Sequence, residues 1–524
     1  MEKRPFTALG ILLCIVPLNA QNGFLSPTRI VRTENGTMRG ISDGKVDQFL
    51  GIPYAAPPVG DLRWKAPAAA PSWSGVRDAV RASSQCVQSG GGDEDCLYLN
   101  VYRPFGTTRG QKLPVLIFIH GGGNQQGSGD LYDPSNLVAQ TGTIVVTINY
   151  RLNVFGFLAL PSLDAEAGEP SSGNFGLMDQ QAAMRWVQIN IHAFGGDPLN
   201  VTIGGESAGG IDICAQLVSP AATNLFHGAI LESMYCPTAS HDASIQASVP
   251  VATALGCTDP QTAAACLRAK SEAEVFAADQ FYVLPGAGLG ISASPNYGSN
   301  VLPVRPSDAL AMGQWNYSSI LIGSNHDEAA PFVIGTLGAK FKLPLSVPDY
   351  QTVVGAYFGS FATSVLQEYS LNNFADPFLA YADEVTDLSP LGCPVSQIAQ
   401  LLAPLSQSFR YEFNDQQAPV SGNSPDLQGA YHGAELQYIF HLPQSPTTLS
   451  SAQQQLANQM MQYWGNFIRT GDPNGPGLVT WPQFDTNTHQ LLSLKPDGNS
   501  VIDNFDTEHH CAFWAAAPGP PFPK

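Results

Sequence analysis

Asn200-Val201-Thr202-Ile203-Gly204-Gly205-Glu206-Ser207-Ala208-Gly209-Gly210 is the stretch that decides the fold. Residues 200–204 form an apolar, strand-like run, and the small residues from Gly209 to Ala215 read as a helix. Between them, Gly205-Glu206-Ser207-Ala208-Gly209 matches G-x-S-x-G, the strand–turn–helix nucleophile elbow. There small flanking residues let strand and helix approach while the serine hydroxyl stands exposed. The helix N-terminus beneath it favours developing negative charge. In a chain with 51 glycines the pentapeptide alone arises easily by chance, so the reading rests on what surrounds it.

A serine hydroxyl is a weak nucleophile at neutral pH. It needs a base within hydrogen-bond reach, an acid that orients the base, and donors aimed at the oxyanion. Val115-Leu116-Ile117-Phe118-Ile119 reads as a buried strand that runs into His120-Gly121-Gly122-Gly123. A glycine run after a core strand leaves peptide N–H groups uncovered, and Ala208 N–H, just past the nucleophile, is the expected partner donor. Among ten histidines, His432 follows the strand-like Phe409-Arg410-Tyr411-Glu412-Phe413 on a loop, where this architecture places its base. The acid should end an intermediate strand; Ser319-Ile320-Leu321-Ile322-Gly323 leads to Ser324-Asn325-His326-Asp327-Glu328, where Asp327 and Glu328 are both candidates. The order serine, acid, histidine is that of an α/β-hydrolase and of neither well-known protease type.

Through these segments the chain resembles the type-B carboxylesterase/lipase family, which includes cholinesterases and fungal lipases, and in style it is similar to secreted filamentous-fungal members. The resemblance covers nearly all of the mature chain. It is carried by Phe49-Leu50-Gly51-Ile52-Pro53-Tyr54-Ala55, Leu62-Arg63-Trp64, Glu94-Asp95-Cys96-Leu97-Tyr98-Leu99-Asn100-Val101, His120 to Gly123, Asn149-Tyr150-Arg151-Leu152, Phe194-Gly195-Gly196-Asp197-Pro198, Gly204 to Gly210, His326-Asp327-Glu328 and His432-Gly433. It implies an α/β-hydrolase fold: a large, mostly parallel, twisted central sheet with helices on both faces and long helical or loop insertions. It further implies Glu328 as the acid, Gly122 and Gly123 with Ala208 as the oxyanion hole, hydrolysis of carboxylic esters, and no cofactor.

Two departures from the family narrow the substrate. Asn124, Gln125 and Gln126 follow the glycine run where an aromatic residue is common, which predicts a polar wall to the acyl or alcohol pocket. Cys86 and Cys96 enclose only Val87 to Asp95, with neither the long tryptophan-bearing loop of cholinesterases nor the long apolar lid of the fungal lipases. Choline esters and interfacial lipolysis are therefore discounted. A small or medium ester is expected, met outside the cell or within a secondary-metabolite pathway. Two alternatives stand beside this one: an acyltransferase with the same triad, and a non-catalytic binding protein that kept the fold.

Composition sets the remaining bounds. At 524 residues with 44% hydrophobic content the chain can bury a sizeable core, and one catalytic domain over 21–524 is expected, with an irregular insertion around 235–400. Lys plus Arg minus Asp plus Glu is 24 − 43 = −19, spread along the chain, which disfavours nucleic acid and anionic membranes as partners. Met1–Ala20, with an early charged cluster and an apolar stretch from Phe6 to Leu18, reads as a signal peptide and predicts secretion without a stable membrane anchor. Oligomeric state is not legible.

Of nine cysteines, Cys14 lies in the leader. Family likeness and chain proximity imply Cys86–Cys96 and Cys257–Cys266, and likeness pairs Cys393 with Cys511. Cys214 and Cys236 are left as free core cysteines or as a fourth bridge near the site. No local Cys/His spacing suggests a metal. Glycosylation sequons begin at Asn35, Asn200 and Asn316, with Asn200 the weakest because it abuts the elbow strand.

Overall fold

Alternation along the strand Leu113–Ile119 shows how the sequence builds the centre of the molecule. Successive side chains of a strand point to opposite faces. Leu116 and Phe118 accordingly enter one hydrophobic cluster, while Val115, Ile117 and Ile119 enter another. The neighbouring strands repeat the division: Ile230 and Leu321 join the first cluster, and Ala229, Leu231, Ile320 and Ile322 the second. A strand covered on both faces must be apolar throughout, which is why these segments read as continuous hydrophobic runs. Each fully buried aliphatic side chain contributes about 1.5–3 kcal/mol.

The computed structural model describes residues 26–517, apart from 238, 283–292, 338–340, 342–344, 375, 421–426, 428 and 443–447. The expected leader, Met1–Ala20, lies outside the described residues. Among those described, 13 strands form one sheet. Its parallel centre runs, in spatial order, Ile144–Ile148, Leu113–Ile119, Gly196–Glu206, Gly228–Glu232, Ser319–Asn325, Ser408–Phe413 and Leu491–Leu494. Antiparallel strands Ser26–Arg32, Thr37–Ser42, Val46–Pro53 and Tyr98–Pro104 extend one edge, and Ser500–Ile502 closes the other. The short Val76–Asp78 pairs with Thr37–Ser42. This is the α/β-hydrolase sheet implied by the resemblance.

Helices cover both faces. Ser451–Thr470 lays Leu456, Met460, Trp464 and Phe467 on one, and starts with a capping box between Ser450 and Gln453. Phe175–Asn190 and Ala208–Val218 cover the other through Met184, Trp186, Ile211 and Leu217. Between Glu232 and Ser408 the chain is mainly helical, and Ser319–Asn325 is the one strand it adds to the large sheet among the described residues.

Four disulfides are formed: Cys86–Cys96, Cys257–Cys266, Cys393–Cys511 and Cys214–Cys236. The last resolves the alternative left open by the sequence. Cys214 lies on the helix that follows Ser207, so this bridge ties that helix to the segment after Gly228–Glu232.

Candidate active site

Ser207 sits between the strand Gly196–Glu206 and the helix Ala208–Val218 with φ 56° and ψ −123°. A non-glycine residue held there stores about 1–3 kcal/mol of strain, which the surrounding contacts must over-determine. They do so through close approach. A Cβ on Gly209 would lie 2.0 Å from the Ile119 carbonyl oxygen, and one on Gly205 2.7 Å from the same atom. The small residues flanking the serine are therefore required by the strand–helix contact. Ser207 N–H donates to Glu232 O at 2.9 Å, and Ile211 N–H donates to Ser207 O at 2.9 Å.

The glycine run lies against this elbow: a Cβ on Gly121 would come within 3.1 Å of Ser207 Cβ. Gly122 and Gly123 have φ of 105° and 65°, a backbone that other residues rarely adopt. Ala208 opens the helix, so its N–H has no intrahelical acceptor. The loop is held from both sides. The Tyr150 hydroxyl sits between His120 O (2.8 Å) and Asn124 Oδ1 (3.0 Å). The Gln88 side chain, from within the Cys86–Cys96 loop, exchanges two 2.9 Å hydrogen bonds with the backbone of Gly127. That cross-link is not apparent from the sequence.

Asn124 does not line a polar pocket wall. It is fully buried at φ 57°, and its amide donates to Asp212 Oδ1 at 3.1 Å while its backbone carbonyl accepts from Asn153 N–H. The amide is consumed by a buried carboxylate, because an ionisable group at zero exposure must find a donor. Burial nevertheless raises Asp212 to about 7.

His432 and Glu328 meet, although 104 residues separate them: His432 Nδ1 donates to Glu328 Oε2 at 2.6 Å. The second Glu328 oxygen accepts from Asn325 N–H at 2.7 Å, and the carboxylate is completely buried. Asp327 faces elsewhere. It accepts from Ala430 N–H at 2.7 Å and from Gln416 at 2.8 Å, tying down the loop that carries His432. The structure thus separates two carboxylates that chemistry alone left equivalent. His120 is buried against Tyr150, and burial lowers it to about 4, so it stays neutral at ordinary pH.

Sequence reasoning missed the carboxylates behind the pair. Glu206 Oε1 lies 3.1 Å from His432 Nε2, Glu435 is hydrogen-bonded by Asn325, and Glu232 accepts from Trp464 Nε1 at 2.7 Å. Burial pushes Glu206 up to about 7, Glu232 to about 8 and Glu435 well above the carboxylate range. Burial would lower His432, but Glu206 and Glu328 outweigh it and lift the imidazole to about 9. The one sequence signal was adjacency: Glu206 precedes Ser207, and Glu435 lies three residues beyond His432.

A parallel sheet with a serine elbow, a glycine loop beside it and an imidazole–carboxylate pair from two later strand ends defines an α/β-hydrolase. The chain belongs to the carboxylesterase family, whose family model matches residues 27–514. It is a carboxylic ester hydrolase. It is 34% identical over 515 residues to a cocaine esterase of Oryctolagus cuniculus, covering 90% of this chain and 93% of that one. It is 33% identical over 527 residues to an acylcarnitine hydrolase of Mus musculus, covering 93% and 91%. Among solved structures it is similar to a PNB esterase, with TM-score 0.75 and 31% identity over 92% of this chain and 99% of the other. A thermophylic PNB esterase is similar at TM-score 0.76 and 31% identity, over 92% and 98%.

Proposed function

We propose that Ser207 is the nucleophile, His432 its general base and Glu328 the residue that orients the imidazole and stabilises its cation. The observation that carries this reading is the 2.6 Å His432–Glu328 hydrogen bond, with the same imidazole 3.1 Å from Glu206, the residue before the strained Ser207. His432 takes the Ser207 proton as the hydroxyl attacks the ester carbonyl. The N–H groups of Gly122, Gly123 and Ala208 hold the oxyanion; loss of one such donor typically costs about 3–4 kcal/mol of transition-state stabilisation. The alcohol leaves with the proton from His432, and water then releases the acid from the acyl-enzyme.

The substrate is a small or medium ester. Support comes from the ten-residue Cys86–Cys96 separation, which leaves little chain for a lid over the site. Asn124, buried against Asp212, adds no polar wall to the pocket. Secretion through an oxidising compartment is supported by the four disulfides. No helix among the described residues is long and apolar enough to cross a membrane.

The test is hydrolysis of p-nitrophenyl esters of increasing acyl length by the wild type and by Ser207→Ala. Short-chain turnover that disappears in a folded mutant is the expected result. Comparable turnover in the mutant removes Ser207 from the mechanism, and a long-chain optimum overturns the substrate-size reading.

A further inference from the structure

At the ends of the strands Ser319–Asn325 and Ser408–Phe413, a second polar cluster is assembled that the ester chemistry does not use. His326, Glu412 and His509 each offer one ligand atom, and the three atoms lie within 4.8 Å of one another. They come from distant parts of the chain: the loop after Ser319–Asn325, the strand Ser408–Phe413, and the turn after the short helix Phe505–Glu508. Glu412 is completely buried, and its Oε2 has no hydrogen-bond partner.

The two imidazoles are oriented in the same way. Nδ1 of His509 is 2.5 Å from Asp387 Oδ1, and Nδ1 of His326 is 3.1 Å from Asp327 Oδ1. A carboxylate on Nδ1–H is what fixes a metal-ligating imidazole and leaves Nε2 for the ion. On that side His509 Nε2 is 2.9 Å from Glu412 Oε1, and His326 Nε2 is 3.5 Å from Glu508 Oε1. Tetrahedral zinc with bonds of about 2.0–2.1 Å sets its ligand atoms about 3.3–3.4 Å apart, and the three atoms here all lie within 4.8 Å of one another.

Charge points the same way. Asp327, Asp387, Glu412 and Glu508 face two imidazoles, and Asp383 stands within electrostatic reach of both rings. Arg410, two residues before Glu412, hydrogen-bonds Ser396 at 3.0 Å, lies 3.9 Å from Asp506 and stands within electrostatic reach of Glu412 as well.

We propose that His326, Glu412 and His509 form a structural zinc site that ties the C-terminal segment to the loop bearing Glu328. Imidazole with carboxylate oxygen selects a divalent transition ion over calcium or magnesium. Glu412 and His509 are buried and His326 is partly so, which leaves little access for substrate, and the ion's role is to hold structure. His326 precedes Glu328 by two residues, and the site therefore restrains the carboxylate that meets His432. The absence of metal expected from local ligand spacing does not bear on ligands drawn from such distant positions: Glu412 and His509 are 97 residues apart.

The experiment uses the full chain purified without chelator. Elemental analysis should find one zinc per chain. Chelator dialysis should lower the melting temperature, with Zn²⁺ restoring it, and Co²⁺ should give the visible absorption of a tetrahedral ion. Glu412→Gln, which preserves size, and His326→Asn, which removes the imidazole but stays polar, should abolish stoichiometric binding, and Asp387→Asn should weaken it by about 10–100-fold. Ser207→Ala should bind zinc normally. A protein isolated without metal, whose melting temperature responds to neither Zn²⁺ nor chelator, overturns the proposal and leaves a hydrogen-bonded charge network. Zinc retained by both Glu412→Gln and His326→Asn overturns it equally, by placing the ion elsewhere.

Discussion

Glu206 Oε1 stands 3.1 Å from Nε2 of His432, so the imidazole lies between two carboxylates, with Glu328 on Nδ1. A base must be neutral to accept the serine proton. With His432 lifted to about 9, the neutral fraction grows as pH rises through that value and falls below it. The acid limb of kcat/KM should accordingly lie above the ordinary histidine range near 6.5. Glu206→Gln removes one of the charges that raise His432 and should move that limb to lower pH. Rate–pH profiles of both proteins on one short-chain ester check this; an unmoved limb means Glu206 does not act on the imidazole.

Glu328 and Asp327 are adjacent yet hold different partners, and substitution should separate their roles. Glu328→Gln keeps the shape but loses the charge that sets the His432 tautomer and stabilises its cation, and should lower kcat by about 10³–10⁴-fold. Asp327→Asn leaves the imidazole pair intact and weakens its bonds to Ala430 N–H and Gln416. Its main effect should be on thermal stability, read by calorimetry alongside kcat.

Asn124→Ala tests the corrected reading of the glycine-loop neighbour. It removes a donor from the buried Asp212 and a partner from Tyr150, at a position with φ 57°. Stranding a buried polar group costs about 1–3 kcal/mol. A lower denaturant midpoint with an unchanged acyl-length preference is expected. A shifted preference at unchanged stability would return Asn124 to the pocket.

The sequons should differ in occupancy. The Asn316 amide donates to both Gln216 O and Ser219 O at 2.9 Å, using both of its protons, and a glycan would displace one of these bonds. Asn35 and Asn200 each donate once, to Ala70 O and Arg469 O, and keep a proton to spare. Site-resolved mass spectrometry of secreted protein should find Asn316 bare and Asn35 occupied.

Much of the centre was legible because it is written in contiguous runs. Val115–Ile119, Asn200–Gly204, Ser319–Gly323 and Phe409–Phe413 all lie within strands of the parallel core. Burial on both faces makes such segments mainly apolar, although Phe409–Phe413 also carries the buried Arg410 and Glu412, and the turn after Gly205 demands small residues that motif reading can find. Elbow, glycine loop, acid pair and histidine loop were visible for the same reason: each is a strand-end feature of a few consecutive residues.

What the sequence by itself determined, then, is the sheet, the position of Ser207 at its elbow, and the chain order of the candidate triad. Only the tertiary structure decided that Asn124 faces Asp212, that Glu206 stands on His432, that Cys214 joins Cys236, and that His326, Glu412 and His509 converge. Hydrophobic periodicity records which face of a strand is buried. Which polar groups meet inside depends on partners tens or hundreds of residues away, since each buried charge is set by the desolvation and donors its neighbours supply.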